Sequence, residues 1–244
     1  MKLICNRGAL LEALTVTGNA VAQRTPKPVL QCVKLTAADD RLTIAATDLE
    51  VAIRYSDSQV QIEQAGEALV PADKLRDIVR ESVDDTLSID IAGETCNIKG
   101  NDSHFKIFTQ AIGDFPPVPD FEGEADFEMN GGHLKALIGQ TLFAAAKEST
   151  RYAFNGVLLV SGGKGNAKKI SLVSTDGRRL AMARGELVSG GKGDAKEGSR
   201  AIIPSKALVL VDKLIDDPDE TVSVQLRENQ VIFHTSSATL TSNL

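Results

Sequence analysis

The chain repeats itself, and that constrains its architecture more than any other feature, because a repeated sequence has to bury its apolar faces in a repeated way. Ile4 to Leu14 (ICNRGALLEAL) aligns with Phe127 to Leu137 (FEMNGGHLKAL). Leu42 to Arg54 (LTIAATDLEVAIR) aligns with Ser171 to Arg184 (SLVSTDGRRLAMAR), which sets Thr47-Asp48 over Thr175-Asp176. LVPADKLRDIV over IIPSKALVLV puts Pro71 on Pro204, and TLSIDI over TVSVQL puts Thr86 on Thr221. The blocks keep the same order in both copies, and the extra residues of the second fit a longer hairpin at Ser161 to Lys168.

Each copy follows one coarse plan. A short strand leads into a helix: Leu10, Leu11, Leu14 and Val21 within Gly8 to Ala22, and Leu134, Leu137, Ile138 and Leu142 in the second copy, fall near helical spacing. Strands are expected at Val29 to Leu35, Leu42 to Ala46 and Glu50 to Tyr55. A second helix follows Pro71 or Pro204, with Asp73 or Ser205 near its start to hold free amides. Leu75, Ile78 and Val79 form one core stripe; Leu208, Val211, Leu214 and Ile215 form the other. Closing strands are expected at Thr86 to Ile91, Cys96 to Lys99 and His104 to Thr109, and at Thr221 to Leu226, Gln230 to His234 and Ala238 to Thr241. The fold class is therefore α+β. The modules run over 1–120 and 126–244, with a Pro-rich, acidic linker at 111–125 whose prolines favour an extended, stiff path.

The sequence carries few residues in catalytic or metal-binding patterns. His104, His133 and His234 are scattered, and neither HExxH nor GxSxG occurs, so no metal, catalytic site or cofactor is expected. SGGKGNAKK and SGGKGDAKEG lack the Gly-Lys-Ser/Thr ending of a phosphate loop and read as hairpin tips. Cys5, Cys32 and Cys96 are odd in number and far apart, which suggests packed thiols and no disulfide framework. Thr47-Asp48 and Thr175-Asp176 read as turns in which hydroxyl and carboxylate take local amides. No apolar run approaches the ~20 residues of a membrane span, and MKLICNRGALLEAL lacks a signal peptide's basic-then-apolar order. A cytoplasmic protein without a membrane partner is expected.

The net charge is −6. Residues 1–120 hold 12 basic and 18 acidic side chains, so the excess acid sits in the first module. Bases nevertheless recur in equivalent places. Arg76 and Arg80 share a helix face beside Lys74; Lys206 and Lys213 share a face of the counterpart helix. Arg24 follows the first helix, as Lys147 and Arg151-Tyr152 follow its counterpart. A solvated face and a basic concave surface for a polyanion both fit. Without an aromatic platform, backbone contact to duplex fits better than stacking on single strands.

MKL, RTPKPVL, ATDLE, LVPADKL, FKI and DFPPVP, followed by STRYAFNGVLL, STDGRRLA and IIPSKAL, resemble the bacterial DNA polymerase III beta subunit, the sliding-clamp family, along the whole chain. The resemblance implies repeated DNA-clamp modules, each with two helices packed on antiparallel sheets. It implies a non-enzymatic processivity factor that encircles duplex DNA without sequence specificity. The family has three modules per subunit and closes its ring from two subunits. This chain shows two, and the expectation is that the second is incomplete at its C-terminus and the third absent.

By motif, Arg24, Arg80, Arg151, Tyr152 and Lys206 resemble or border DNA-facing positions of the family, and Lys213 joins them from its helix face. Ala153 stands where the family commonly has a second aromatic. Phe154, Thr175, Gly177, Arg178, Arg179 and Leu180 resemble the pocket for short linear peptides, with the polymerase and clamp-loader subunits as implied partners. Gly177 is expected to leave room for a peptide backbone. Lys74, Phe105 and Ile107 resemble the subunit-contact edge of a homodimer, with Phe105 and Ile107 expected to be exposed. A DNA-independent adaptor, or a small hydrolytic or ligand-binding domain of the same fold, is the alternative.

Overall fold

A computed structural model describes residues 1–147, 154–161, 169–190 and 199–244. The chain forms two compact units, Met1–Pro119 and Asp120–Leu244.

The first unit runs β1 (Lys2–Asn6), α1 (Arg7–Gly18), β2 (Cys32–Ala38), β3 (Arg41–Thr47), β4 (Val51–Asp57), β5 (Val60–Gln64), β6 (Gly66–Pro71), α2 (Ala72–Glu81), β7 (Thr86–Ala92), β8 (Thr95–Lys99) and β9 (His104–Phe108). The strands lie in two antiparallel runs, β5-β1-β7-β8-β9 and β4-β3-β2-β6. The second unit runs β10 (Phe127–Asn130), α3 (Gly131–Thr141), β11 (Gly156–Ser161), β12 (Lys169–Thr175), β13 (Leu180–Glu186), β14 (Ser189–Gly190), β15 (Arg200–Pro204), α4 (Ser205–Leu214), β16 (Thr221–Arg227), β17 (Gln230–His234) and β18 (Ala238–Asn243). Its runs are β14-β10-β16-β17-β18 and β13-β12-β11-β15, the same connections strand for strand.

Matching side chains hold matching places. Asn6 and Asn130 cap α1 and α3, each accepting from the amide three residues on, at 3.0 and 3.1 Å. Thr17 and Thr141, both 0% exposed, return their hydroxyls to the carbonyls of Ala13 and Leu137 at 2.7 Å. That bond is how a buried hydroxyl near a helix end avoids standing unpaired. Leu10, Ala13 and Leu14 bury one face of α1; Leu134, Leu137 and Ile138 do so for α3. Leu75 and Val79 of α2, and Leu208, Val211 and Leu214 of α4, complete the cores, with Ile215 buried just beyond. Cys5, Cys32 and Cys96 are free, buried thiols. Burial pushes them up to about 12, about 11 and about 12, so they behave as small apolar residues.

Several elements differ from the sequence expectation. α1 stops at Gly18, and a 3-10 turn at Pro28–Gln31 occupies the start of the expected strand, which begins at Cys32. β5 and β6 escape the periodicity argument: VQIEQ is a half-exposed edge strand, and GEALVP ends in a proline that only an edge tolerates. Asp73 and Ser205 do not cap their helices. Asp73 takes a guanidinium from Arg76, and the Ser205 hydroxyl donates to Asn155 O at 2.7 Å. Within the linker region, Ile112–Asp114 forms a 3-10 turn. In the second unit Gln225 Nε2 donates to the carbonyls of Glu122 and Glu124 at 2.7 and 2.8 Å, and Phe121 stacks on His234 at 4.9 Å. The expected hairpin tips at 162–168 and 191–198 lie outside the described residues. No helix among the described residues is long and apolar enough to cross a membrane.

Candidate nucleic-acid interface and peptide pocket

The two helices that follow proline present different faces. On α2, Lys74 and Arg80 are exposed, as their spacing implies, but Asp73, Asp77 and Glu81 stand among them. Arg76 Nη2 donates to Asp73 Oδ1 at 2.9 Å. Arg80 Nε donates to Glu81 Oε1 at 2.9 Å, and its Nη1 lies 3.2 Å from Asp77 Oδ1. The Glu81 hydrogen bond first, then the Asp77 charge, hold the Arg80 pKa above its usual value. The face picked out by its bases is thus charge-balanced, because helical spacing groups bases without regard to the acids between them.

On α4, Lys206, Val209 and Lys213 form one exposed face, with Lys213 in the last turn where a cation suits the helix dipole. The single acid of this helix, Asp212, is half-buried. Lys135 of α3 donates from Nζ to the carbonyls of Asp212 and Ile215 at 2.6 and 3.0 Å, satisfying acceptors that the end of α4 leaves open. Arg24 is exposed in the loop after α1. Arg151, Tyr152 and Ala153 lie outside the described residues.

The Thr-Asp pairs form the expected turns. Asp48 Oδ1 accepts from the amides of Glu50 and Val51 at 3.0 and 2.9 Å, while Thr47 Oγ1 accepts from Leu49 N and donates to Val51 O, both at 3.0 Å. Asp176 Oδ1 accepts from the amides of Arg178 and Arg179 at 3.0 Å each, while Thr175 Oγ1 accepts from Gly177 N and donates to Arg179 O at 3.0 and 2.6 Å. These amide bonds, and then the Arg179 side chain, hold the Asp176 carboxyl below the usual aspartate range.

The peptide-pocket candidates gather around this second turn. Phe154 is half-buried, with Cε2 3.6 Å from where a Cβ on Gly177 would sit. Leu180 is 67% exposed, and Met182 beyond it on the same strand face is 52% exposed. Arg178 is exposed. Arg179 folds back: Nε meets Asp176 Oδ2 at 2.9 Å, Nη2 donates to Phe143 O at 2.7 Å, and the guanidinium lies 5.5 Å from the Phe143 ring centroid. Phe143, 60% exposed, is the member that sequence reasoning missed. Its signal was an aromatic residue off the Leu134/Leu137/Ile138 stripe. Gly177 also holds φ +87°, a left-handed conformation that favours glycine, and Leu49 holds φ +80° at the matching place.

At the expected subunit edge, Lys74 is exposed and β9 ends its strand run. Phe105 is 40% exposed, but Ile107 is buried at 3%. Phe105 and Ile107 share one face of β9, opposite Ile98 and Cys96; that face is covered at Ile107 and only partly covered at Phe105, while Phe108, 66% exposed, lies on the opposite face.

The chain belongs to the DNA polymerase III beta-subunit family. Its residues 1–119 match the family's description "DNA polymerase III beta subunit, N-terminal domain", and residues 128–244 match the central domain. The curated beta sliding clamp of Caulobacter vibrioides is 32% identical over 247 residues, covering 100% of this chain and 65% of that protein. A crystal structure of the DNA polymerase III subunit beta from Pseudomonas aeruginosa superposes with a TM-score of 0.89 at 30% identity, covering 100% of this chain and 64% of that one. The beta subunit from Streptococcus pyogenes, at 20% identity and a TM-score of 0.90, shares the fold. The chain thus spans just under two thirds of the length of the relatives it matches.

Proposed function

We propose that this chain is the first two modules of a DNA sliding clamp, a non-enzymatic processivity factor that encircles duplex DNA and tethers a polymerase. The observation that carries the reading is that both modules match clamp domains in order, across the whole chain. In this reading Lys206 and Lys213 on α4 supply phosphate contacts, joined by Arg24, Arg80, Arg151 and Tyr152. A clamp has to hold the duplex weakly and without reading bases, and exposed cations on helices suit that need. The turn at Thr175 to Leu180, with Phe154, Phe143 and Met182, would take the apolar anchors of short peptides from polymerase and clamp-loader subunits. Lys74, Phe105 and the edge strand β9 would meet a second subunit in a homodimeric ring working in the cytoplasm.

Topology provides the test. The protein that contains this chain, assembled on nicked circular duplex, should co-elute with the circle in gel filtration and fall off when the circle is cut. Equal retention on circular and linear DNA would sink the ring reading. For the peptide pocket, a polymerase C-terminal peptide should lose affinity at least tenfold against Leu180→Asp; unchanged affinity would move the site elsewhere. A DNA-independent adaptor is favoured by one observation, the balanced charge on α2. It predicts that retention on the circle does not occur at all.

A further inference from the structure

The first module has its own cleft at the place where the second has the Phe154 turn. Ala22 N donates to Leu30 O at 3.0 Å, and Ala146 N donates to Phe154 O at 2.8 Å, so residues at matching places after α1 and α3 make matching bonds. A Thr-Asp turn stands beside each bond: Thr47 to Val51 shares a cleft with Ala22 and Leu30, and Thr175 to Arg179 lies against Phe154. In the first module loop and turn enclose a cleft of about 350 Å³, lined by apolar Ala22, Pro26, Leu30 and Leu49 and rimmed by Arg24 and Lys27.

Two features of this cleft are not needed by the fold. Leu49 is 47% exposed and sits at φ +80°, where the second module uses glycine. A leucine there is strained, a condition that persists at sites with a use for the side chain. Leu30 beside it is already buried at 3%, so Leu49 is not required to cover the core. The rim is the second feature. Arg24 and Lys27 both reach solvent, and no hydrogen bond or ion pair joins either side chain to the described residues. The acid in the lining, Asp48, has Oδ1 turned onto the amides of its own turn. An apolar floor with cations at its edge complements one kind of short ligand: an acidic segment with a single aliphatic anchor.

We propose that this cleft is a second peptide site, selective for an acidic linear segment whose leucine-like anchor packs on Leu49, Leu30 and Pro26 while its carboxylates meet Arg24 and Lys27. The inference goes beyond the clamp reading and does not need the second module's pocket. Arg24 is also a phosphate contact in the clamp reading, so charge alone does not distinguish the two ligands and the apolar anchor is the deciding element.

The experiment is an amide NMR titration of the chain in a Leu180→Asp background, so that the second module's turn does not compete. The probe is a blocked peptide, Asp-Asp-Leu-Asp-Asp, set against its serine analogue Asp-Asp-Ser-Asp-Asp and against a short DNA duplex. The leucine peptide should shift the amides of Gln23 to Lys27 and Leu49 with an affinity near millimolar. The serine analogue should bind at least fivefold more weakly. Leu49→Gly, which suits the turn's positive φ and so should fold, should weaken the leucine peptide severalfold, and Arg24→Glu with Lys27→Glu should abolish binding. Equal binding of the leucine and serine peptides, or shifts with duplex and none with peptide, would overturn the proposal and leave the rim as a plain electrostatic surface. Failure of the Leu180→Asp test above would leave this result untouched.

Discussion

The two Thr-Asp turns make the same backbone hydrogen bonds with different residues at the left-handed position, Leu49 in one module and Gly177 in the other. Around the first lies an apolar cleft with exposed cations at its rim; around the second, an arginine locked onto an aspartate and a phenylalanine ring. The difference teaches that the repeat copies the parts that satisfy backbone groups and lets the outward side chains diverge. Caps, buried threonines and turns are held in common because each leaves a polar group unpaired when lost. Surfaces carry no such constraint, so function is sought where the copies differ.

The strongest way to break the equivalence is in the core. Leu75 and Leu208 occupy matching places on α2 and α4 and are both 0% exposed. Truncating either, Leu75→Ala or Leu208→Ala, should cost about 2–5 kcal/mol in its own module. Hydrogen-exchange protection read separately over each module measures both; a cost under about 1 kcal/mol at one position would show that the helices are packed differently. A sharper contrast lies one strand away. Cys32 and Gly156 each pair with the proline that precedes a helix, opposite Pro71 and Pro204. Cys32 is accommodated at 2% exposure, whereas a Cβ on Gly156 would stand 2.6 Å from Ile203 O. Gly156→Ala should therefore destabilise the second module by about 1–3 kcal/mol, through overpacking against a backbone that cannot easily yield. A neutral result in thermal melts would mean that β15 shifts.

The fold was largely legible because its signals are local: Asn6 and Asn130 before helices, Pro71 and Pro204 at edge-strand ends, and the Thr-Asp turns all act within a few residues. β5 was not legible, since an edge strand with one half-buried face carries little alternation. The candidate sites are legible as positions and less so as arrangements. Helix face picks out Arg80 as exposed, but Asp77 and Glu81, on the same helix, occupy its guanidinium, and base spacing alone does not register them. Ile107 shares its strand face with Phe105, as the resemblance implies, but long-range packing covers that face at Ile107, which a local sequence pattern does not carry. Phe143 was missed because its part in the site depends on Arg179, 36 residues later in the chain.

At the turns themselves, exchanging the left-handed residues should act unequally. Gly177→Leu should cost about 1–2 kcal/mol, the usual cost of a side chain at positive φ. Leu49→Gly should fall within about 0.5 kcal/mol of neutral, since relief of that strain is offset by the backbone freedom glycine loses on folding. Chemical denaturation followed by circular dichroism compares the two. Equal and large losses would mean that Leu49 packs into its module far more than its exposure indicates.

The smallest effect expected is also the most local. Asp176 is held below the ordinary aspartate range mainly by the amides of Arg178 and Arg179, and less by the Arg179 guanidinium. In the first module Val51 fills the place of Arg179, and Asp48 binds its turn amides with no arginine in that position. Arg179→Val copies that arrangement. Because the folded-state pKa is depressed, the carboxylate's contribution to stability is fully present above the unfolded value of about 3.9 and is lost as pH falls through the lower folded value. In Arg179→Val that loss should begin at slightly higher pH, with the midpoint still below the ordinary range because both amides remain. Carboxyl-carbon NMR of Asp176 between about pH 2 and 6 reads the midpoint directly. A return to the ordinary value in the variant would show that the ion pair, and not the turn common to both modules, is what lowers it.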